Sequence, residues 1–352
     1  VETPKTYESF WRRGRLKFLR IAILGFPFYI LALAVPKNPN IEVFGSFNGY
    51  AVADNSLGQF ARQMSSRRTY FITKNPEQLT TQLPNGERPI LAMSWKGVWL
   101  QLRAARAYYS HGIFDFTSPL IMGAEVVALQ HGFPVKLGGV ASPLYSWLMR
   151  QPFRLIFRWC IPYVYVYYAD VVHSPGGIFL ENSRRVFQLT KARVIEDTPA
   201  RLDRVKVNPI DGKVLVALTQ MSSISILDRL RELGLIYDLE HSLREVSIPE
   251  QLKIFVRPHP VELSLVGADL LKTNVFLDTT KDIYDTLGSY SIVITDFSSL
   301  GFDSEELGVE TLYWTQYLDE FMAEEIGLFE DIKELLSTRG LIQVSDIWSR
   351  FD

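Results

Sequence analysis

The sequence predicts an α/β protein made of two doubly wound, Rossmann-like domains behind an N-terminal helical segment. Three observations predict it. Short β-branched apolar runs alternate along the chain with helix-like stretches, the pattern of a parallel sheet with crossover helices. Several of these runs end directly in histidine, serine or glycine, at the carboxyl edge where open parallel sheets place their sites. With 352 residues, 47% apolar and 22% charged, the chain exceeds what one core organises well. The polar stretch before Gly212 puts a boundary near residue 205, giving domains over 41–205 and 206–352 behind a segment 1–40.

That first segment is basic and then apolar. FWRRGRLKFLR over 10–20 carries Arg12, Arg13, Arg15, Lys17 and Arg20, and an uncharged run follows from Ile21 to Val35. The run is shorter than the ~20 residues needed to span a hydrocarbon core, and Pro27 is expected to break or kink a helix there. A signal peptide and a buried first helix are alternative readings. The preferred one is an amphipathic segment lying in the bilayer interface, its cations on anionic lipid. The net charge of −2 gives no global attraction to nucleic acid. A single cysteine, Cys160, excludes an internal disulfide framework and fits a reducing, cytoplasmic setting.

The βα units of the first half follow in order. Ile41–Phe44 is expected as a strand, 45–49 as a glycine-containing loop, and Asn55 or Ser56 as the cap of a helix to Met64. Next come Thr69–Thr73; Ile90–Met93 with a helix over Gly97–Tyr108; and Gly112–Phe116 with Pro119–Met122. The strand Glu125–Leu129 runs into Gln130, His131, Gly132 and, a few residues on, Lys136. This puts an imidazole and a cation at a strand's carboxyl end, although a lone loop histidine is often inert. Over 144–169, Arg150, Arg154 and Arg158 recur every fourth residue among aromatics. That spacing predicts one helical face for a membrane surface or, alternatively, a domain-edge helix turned to water.

A strand at Asp170–His173 and a helix near Ile178–Leu189 lead to DTPARLD over Asp197–Asp203. Strands at Val214–Leu218, Lys253–Val256, Val275–Leu277, Ser291–Thr295 and Thr311–Tyr313 form the second set. Arg257, Pro258, His259 and Pro260 directly follow one strand, so His259 sits on a stiff loop. After Ser291–Thr295 come Asp296, Ser298 and Ser299, capping residues at a helix start whose free N–H groups suit a phosphate. Asp296 and Asp303 beside a capped helix read as structural, and no metal site is assigned to them.

Taken together, Asp54-Asn55, His131-Gly132 with Pro134 and Lys136, Pro199 with Arg201 and Asp203, Arg257-Pro258-His259-Pro260, and Thr295-Asp296-Phe297-Ser298-Ser299 with Phe302-Asp303 resemble the CDP-glycerol glycerophosphotransferase family of teichoic acid and capsule enzymes. The likeness runs from about residue 41 to 315 in unbroken order. It implies a GT-B arrangement, with two Rossmann-like domains facing across a cleft. It also implies transfer of glycerol phosphate or ribitol phosphate from a CDP-alditol to a hydroxyl of a lipid-linked polymer precursor, with CMP leaving, on the cytoplasmic face of the membrane. No tightly bound cofactor is implied. His131 becomes the general base and His259 the group assisting the leaving phosphate. Arg257, Pro258, Thr295, Asp296, Ser298, Ser299 and Arg201 become donor-binding, and Asp54, Asn55, Gly132 and Lys136 acceptor-side. A GT-B glycosyltransferase using a nucleotide sugar is the alternative on the same fold, and a non-catalytic membrane-binding scaffold is a further one.

Overall fold

The computed structural model describes residues 7–65, 67–143, 145–237, 248–259, 261–324 and 327–351, with side chains of the first helix described from Arg20 onward. Pro260 and Leu144 lie outside the described residues, as do the side chains of Arg12, Arg13, Arg15 and Lys17. The chain divides into two compact units. One comprises 1–131 and 139–201, the other 132–138 and 202–352.

The first unit contains seven strands: β1 (Asn38–Gly45), β2 (Arg68–Thr73), β3 (Ile90–Leu91), β4 (Ala104–Tyr109), β5 (Glu125–Ala128), β6 (Val171–Ser174) and β7 (Arg193–Glu196). They form one parallel sheet in the order β3-β2-β1-β4-β5-β6-β7. Helices α2 (Asp54–Gln63), α3 (Trp95–Arg103) and α5 (Ile178–Val186) are among its connections, with one helical turn, α4, at Phe153–Leu155. Phe44, Phe60, Phe71, Tyr108 and Val127 share one buried cluster, and burying each such side chain contributes roughly 1.5–3 kcal/mol. Chain order reverses between β1 and β4, which makes the loops after these strands a topological switch point.

The second unit holds β8 (Ile210–Ala217), β9 (Lys253–Val256), β10 (Val275–Leu277), β11 (Tyr290–Thr295) and β12 (Glu310–Tyr313), all parallel, in the order β10-β9-β8-β11-β12. Its helices include α6 (Ile226–Glu232) and α7 (Ser299–Glu306). Val214, Val216, Ile254, Val256, Ile294 and Trp314 are buried together. The switch point here lies between β8 and β11.

Several expectations change. The helix expected over Gly97–Tyr108 ends at Arg103, and Ala104–Tyr109 is strand β4. Gly112–Phe116 is not a strand; a 3₁₀ turn covers Ile113–Asp115. The 144–169 segment is not one helix but a series of short turns, from Ser146–Met149 to Pro162–Val164, so Arg150 does not continue the face of Arg154 and Arg158. Pro27 does not end the first helix: α1 runs through it from Tyr7 to Ala34, and the proline stands on its exposed side. Among the described residues no helix is long and apolar enough to cross a membrane.

Helix α1 is held to the first unit by a narrow contact. A Cβ on Gly25 would come within 2.8 Å of Pro119 and Tyr163, so only glycine permits this approach. Tyr163 Oη donates to Ala22 O at 2.6 Å, and Tyr29 Oη donates to Trp159 O at 3.2 Å. Ile23, Leu24, Phe26, Phe28, Ile30, Leu31 and Leu33 remain exposed.

Candidate active site

Asp54 opens α2 beside the switch point of the first sheet, in a left-handed conformation with φ +66°. Its carboxylate is 3% exposed and has two strong partners. Oδ1 accepts from the buried Arg201 guanidinium at 2.9 Å, and Oδ2 meets His131 Nδ1 at 2.5 Å. Burial alone would raise the Asp54 carboxyl, but His131, Arg201 and His111 hold it well below the usual carboxylate range. With Asp54 ionised, His131 Nδ1 carries the proton and donates it, which leaves Nε2 as the basic nitrogen. The His131 side chain is 53% exposed.

The loop carrying His131 is shaped by backbone conformation and by Asn55. Gln130 and Gly132 both take positive φ, +60° and +92°. Asn55 Nδ2 donates to Leu129 O at 3.1 Å and Gln130 O at 2.9 Å, and Asn55 Oδ1 accepts the Arg201 N–H at 3.0 Å. One buried amide thus fixes both the His131 loop and Arg201 relative to Asp54. Gly58 lets α2 lie against Ala200, since a Cβ there would sit 2.2 Å from the Ala200 carbonyl oxygen. Asn55, expected on the acceptor side, clamps the His131 loop to the Arg201 segment. Arg201, expected in the donor site, belongs to the first unit and is spent on Asp54.

Sequence reasoning missed His111, which follows β4 at the same switch point. Its ring stacks on His131 with centroids 4.0 Å apart and 30° between planes, and Nδ1 lies 3.8 Å from Asp54 Oδ2. Nδ1 accepts the Phe47 N–H at 3.2 Å. Asp115 ties the two loops together, accepting from the N–H groups of Asn48, Ser110 and His111 at 2.6, 3.0 and 3.1 Å. The available signal was Ser-His-Gly over 110–112, which mirrors Gln-His-Gly over 130–132. Extending the helix through Tyr108, over most of β4, hid it.

Burial, and then the neighbouring His131 and Arg201 charges, lower the His111 pKa to about 3, with Asp54 opposing. Its folded-state value thus lies below its unfolded value near 6.5. The stabilising contribution is present above pH 6.5 and is lost as pH falls towards 3. His111→Phe, which cannot titrate, is expected to lose less stability than the wild type between pH 6.5 and 4.5. Urea unfolding at both pH values checks this; equal losses would mean that His111 is protonated in the folded protein.

Asp54, His111 and His131 are also the group, among the described residues, whose ligand atoms lie close enough to hold a metal ion, all within 4.8 Å. In this structure Arg201 and His131 meet the carboxylate, and the Phe47 N–H donates to His111 Nδ1.

In the second unit, the carboxyl edge carries the other expected residues. Arg257 NH1 donates to Asp278 Oδ2 at 2.9 Å and to Thr280 O at 2.8 Å. Pro258 is buried and His259 exposed, with His259 Nδ1 accepting the Val261 N–H at 3.4 Å. Ser298 caps α7, its hydroxyl accepting from Leu300 N at 3.3 Å, and Ser299 is the first helical residue; both are half-buried. A Cβ on Gly301 would meet Tyr313 at 2.7 Å and Thr295 at 2.8 Å, so glycine lets this helix start press onto β11 and β12. The start of α7 thus lies at the carboxyl edge of the sheet, where first-turn N–H groups lack intrahelical acceptors.

Two expected donor ligands are structural instead. Thr295 is fully buried and donates to Ala217 O at 2.6 Å, tying β11 to β8. Asp296 is 3% exposed; it accepts from Thr219 N at 2.8 Å and Phe297 N at 2.6 Å, and pairs with the buried Arg229 at 3.1 Å. Burial pushes the Asp296 carboxyl up, with Arg229 and the two N–H groups opposing. Gly132 and Lys136, expected on the acceptor side, fall in the stretch 132–138 that belongs to the second unit. There Leu137 N donates to Gly327 O, Phe329 N donates to Val135 O, and Lys136 Nζ stands 5.3 Å over the Phe321 ring.

No protein-family model matches the chain, and no curated protein sequence matches it. Solved structures do. The wall teichoic acid polymerase TagF superposes with a TM-score of 0.59 at 15% identity, covering 98% of this chain and 92% of that one. A histidine variant of TagF gives 0.60 at 16% identity, covering 91% and 83%. The spinosyn forosaminyltransferase SpnP is more distant, at 0.44 and 12% identity over 86% and 84%. The chain therefore shares with TagF a GT-B fold of two parallel-sheet α/β units.

Proposed function

We propose that the protein transfers an alditol phosphate from a CDP-alditol, either glycerol or ribitol, to a hydroxyl of a lipid-linked cell-surface polymer precursor. The observation that carries this reading is the Asp54–His131 pair at the switch point of a parallel sheet, in a chain that shares its fold with a wall teichoic acid polymerase. The acceptor oxygen bonds to the alditol-bearing phosphorus as the bond from that phosphorus to CMP breaks. His131 Nε2 takes the hydroxyl proton, and Asp54 stabilises the imidazolium that forms. CMP leaves with the developing negative charge, assisted by His259 on its exposed loop.

Phosphoryl transfer needs positioning and charge neutralisation more than covalent chemistry. Ser298 and Ser299 at the start of α7 receive the diphosphate, with Arg257 held nearby on the same edge by Asp278. Ser298→Ala with Ser299→Ala is expected to weaken CDP-glycerol binding about tenfold or more, because two hydrogen bonds to a charged group are lost. Calorimetric titration measures it, and unchanged affinity would remove this helix start from the donor site.

A lipid-linked acceptor confines the reaction to a membrane surface, and α1 suits a monotopic attachment there. Leu24, Phe28 and Leu31 follow the i, i+4, i+7 spacing of one helical face and are 68%, 50% and 46% exposed. Trp159, whose backbone carbonyl accepts from Tyr29, is exposed too. Replacing Leu24, Phe28 and Leu31 by serine is expected to abolish most sedimentation with anionic vesicles while leaving activity on a soluble acceptor intact. Undiminished sedimentation would contradict the attachment.

A further inference from the structure

We propose that His111 is a positioning residue for the His131 base: a neutral imidazole that backs the His131 ring and leaves Oδ2 of Asp54 to His131 alone. The inference rests on the reading of His131 as base, and its observations are independent of any ligand.

The first is how little else holds His131. Its side chain is more than half exposed, so its orientation on Asp54 depends on the few groups that touch the ring. Among the described residues these include the Asp54 carboxylate at Nδ1, the edge-on Phe47 ring with centroids 5.2 Å away, and the His111 ring stacked at 4.0 Å. Catalytic groups need to be held within a fraction of an ångström and some tens of degrees, and one hydrogen bond leaves an imidazole free to swing about it. The stacked face of His111 stops that rotation.

The second observation is the protonation state that the hydrogen bonds require. A backbone N–H donates into His111 Nδ1, so this nitrogen carries no proton and the ring is neutral. A protonated His111 would offer Asp54 a second cation at 3.8 Å, in competition with His131. The charged groups facing His111 are Asp54, His131 and Arg201, and Asp115 accepts its backbone N–H. The resident Arg201 cation already disfavours another positive charge. The burial that lowers the His111 pKa acts in the same direction.

The third is an otherwise costly atom. Nε2, which must carry the proton, is buried without a hydrogen-bond partner among the described residues. A phenylalanine would fill the space with no buried polar atom of its own, but it would take the acceptor from the Phe47 N–H. The imidazole differs in Nδ1, which fastens the Phe47 loop. Phe47 and Asn48 both sit there at positive φ, +51° and +56°, and Phe47 supplies the other aromatic contact to His131. His111 thus supports the base twice, through its own face and by holding Phe47.

The test uses the full chain and reads position without turnover. In proton NMR, His131 Nδ1–H held on Asp54 is expected to give a far-downfield exchangeable signal that His131→Ala removes. His111→Ala is expected to broaden or abolish that signal, and to lower kcat about 10- to 100-fold with little change in KM, as misplacement of a reacting group does. His111→Phe, which keeps the ring face and loses the tie to the Phe47 N–H, is expected to retain the signal and to lose less of kcat than His111→Ala. An intact signal with unchanged kcat in a folded His111→Ala overturns the proposal. Should His111→Ala fail to fold, loss of the signal in a folded His111→Phe overturns it as well. Near-normal turnover in His131→Ala would instead defeat the base assignment and leave the NMR outcome to decide the positioning role.

Discussion

His131→Ala and Asp54→Asn are each expected to lower turnover by about 10²–10⁴-fold, the range contributed by a positioned general base. The two act as a unit, so the double variant is expected to be little worse than either single one. In His131→Ala the proposed proton acceptor is gone. In Asp54→Asn the imidazole remains, but the carboxylate that fixes its tautomer and stabilises its charge does not. Steady-state rates on a soluble acceptor measure both, with folding checked by circular dichroism. Strictly multiplicative losses would mean that the two residues do not act as the pair their 2.5 Å contact indicates.

Arg229→Met is expected to cost about 3–5 kcal/mol of stability, since it leaves a buried carboxylate without its cation. Arg229 is 1% exposed and donates to Asp296 at 3.1 Å and to Thr219 O at 2.6 Å, with Glu262 3.6 Å away. Asp296 in turn holds the loop after β8 against the loop after β11 through Thr219 and Phe297. Losing the cation therefore loosens the edge that presents Ser298. Adding Asp296→Asn to Arg229→Met removes the stranded charge and is expected to recover part of the loss. Chemical denaturation measures all three variants, and a cost below about 1 kcal/mol for Arg229→Met would place the pair in the class of solvated surface bridges.

The second sheet was legible almost strand by strand because its runs are rich in valine and isoleucine and end at polar punctuation. In the first sheet, β4 reads Ala-Ala-Arg-Ala-Tyr-Tyr, whose alanines favour helix, and only its place between β1 and β5 makes it a strand. Losing β4 as a strand also lost His111 as a strand-end residue. His131 and Asp54 were readable as candidates, but their contact was not. It depends on the chain crossing over so that α2 starts at the edge where β4 and β5 end. Arg229 sits in Asp-Arg-Leu-Arg-Glu, which reads as a solvated helix face, and nothing local marks the one arginine that turns inward. Arg201 was singled out by its motif and misassigned in role, because a motif identifies residues without saying which carboxylate they meet.

The most direct test offers the full chain a lipid-linked or short soluble acceptor together with CDP-glycerol, CDP-ribitol or a set of common nucleotide sugars, and identifies the nucleotide released and the mass added to the acceptor. Release of CMP with an acceptor heavier by one alditol phosphate, abolished in His131→Ala, is the expected result. Release of a nucleoside diphosphate with a sugar added would contradict the assignment in favour of glycosyl transfer, and absence of any nucleotide binding or release would contradict it in favour of a non-catalytic scaffold.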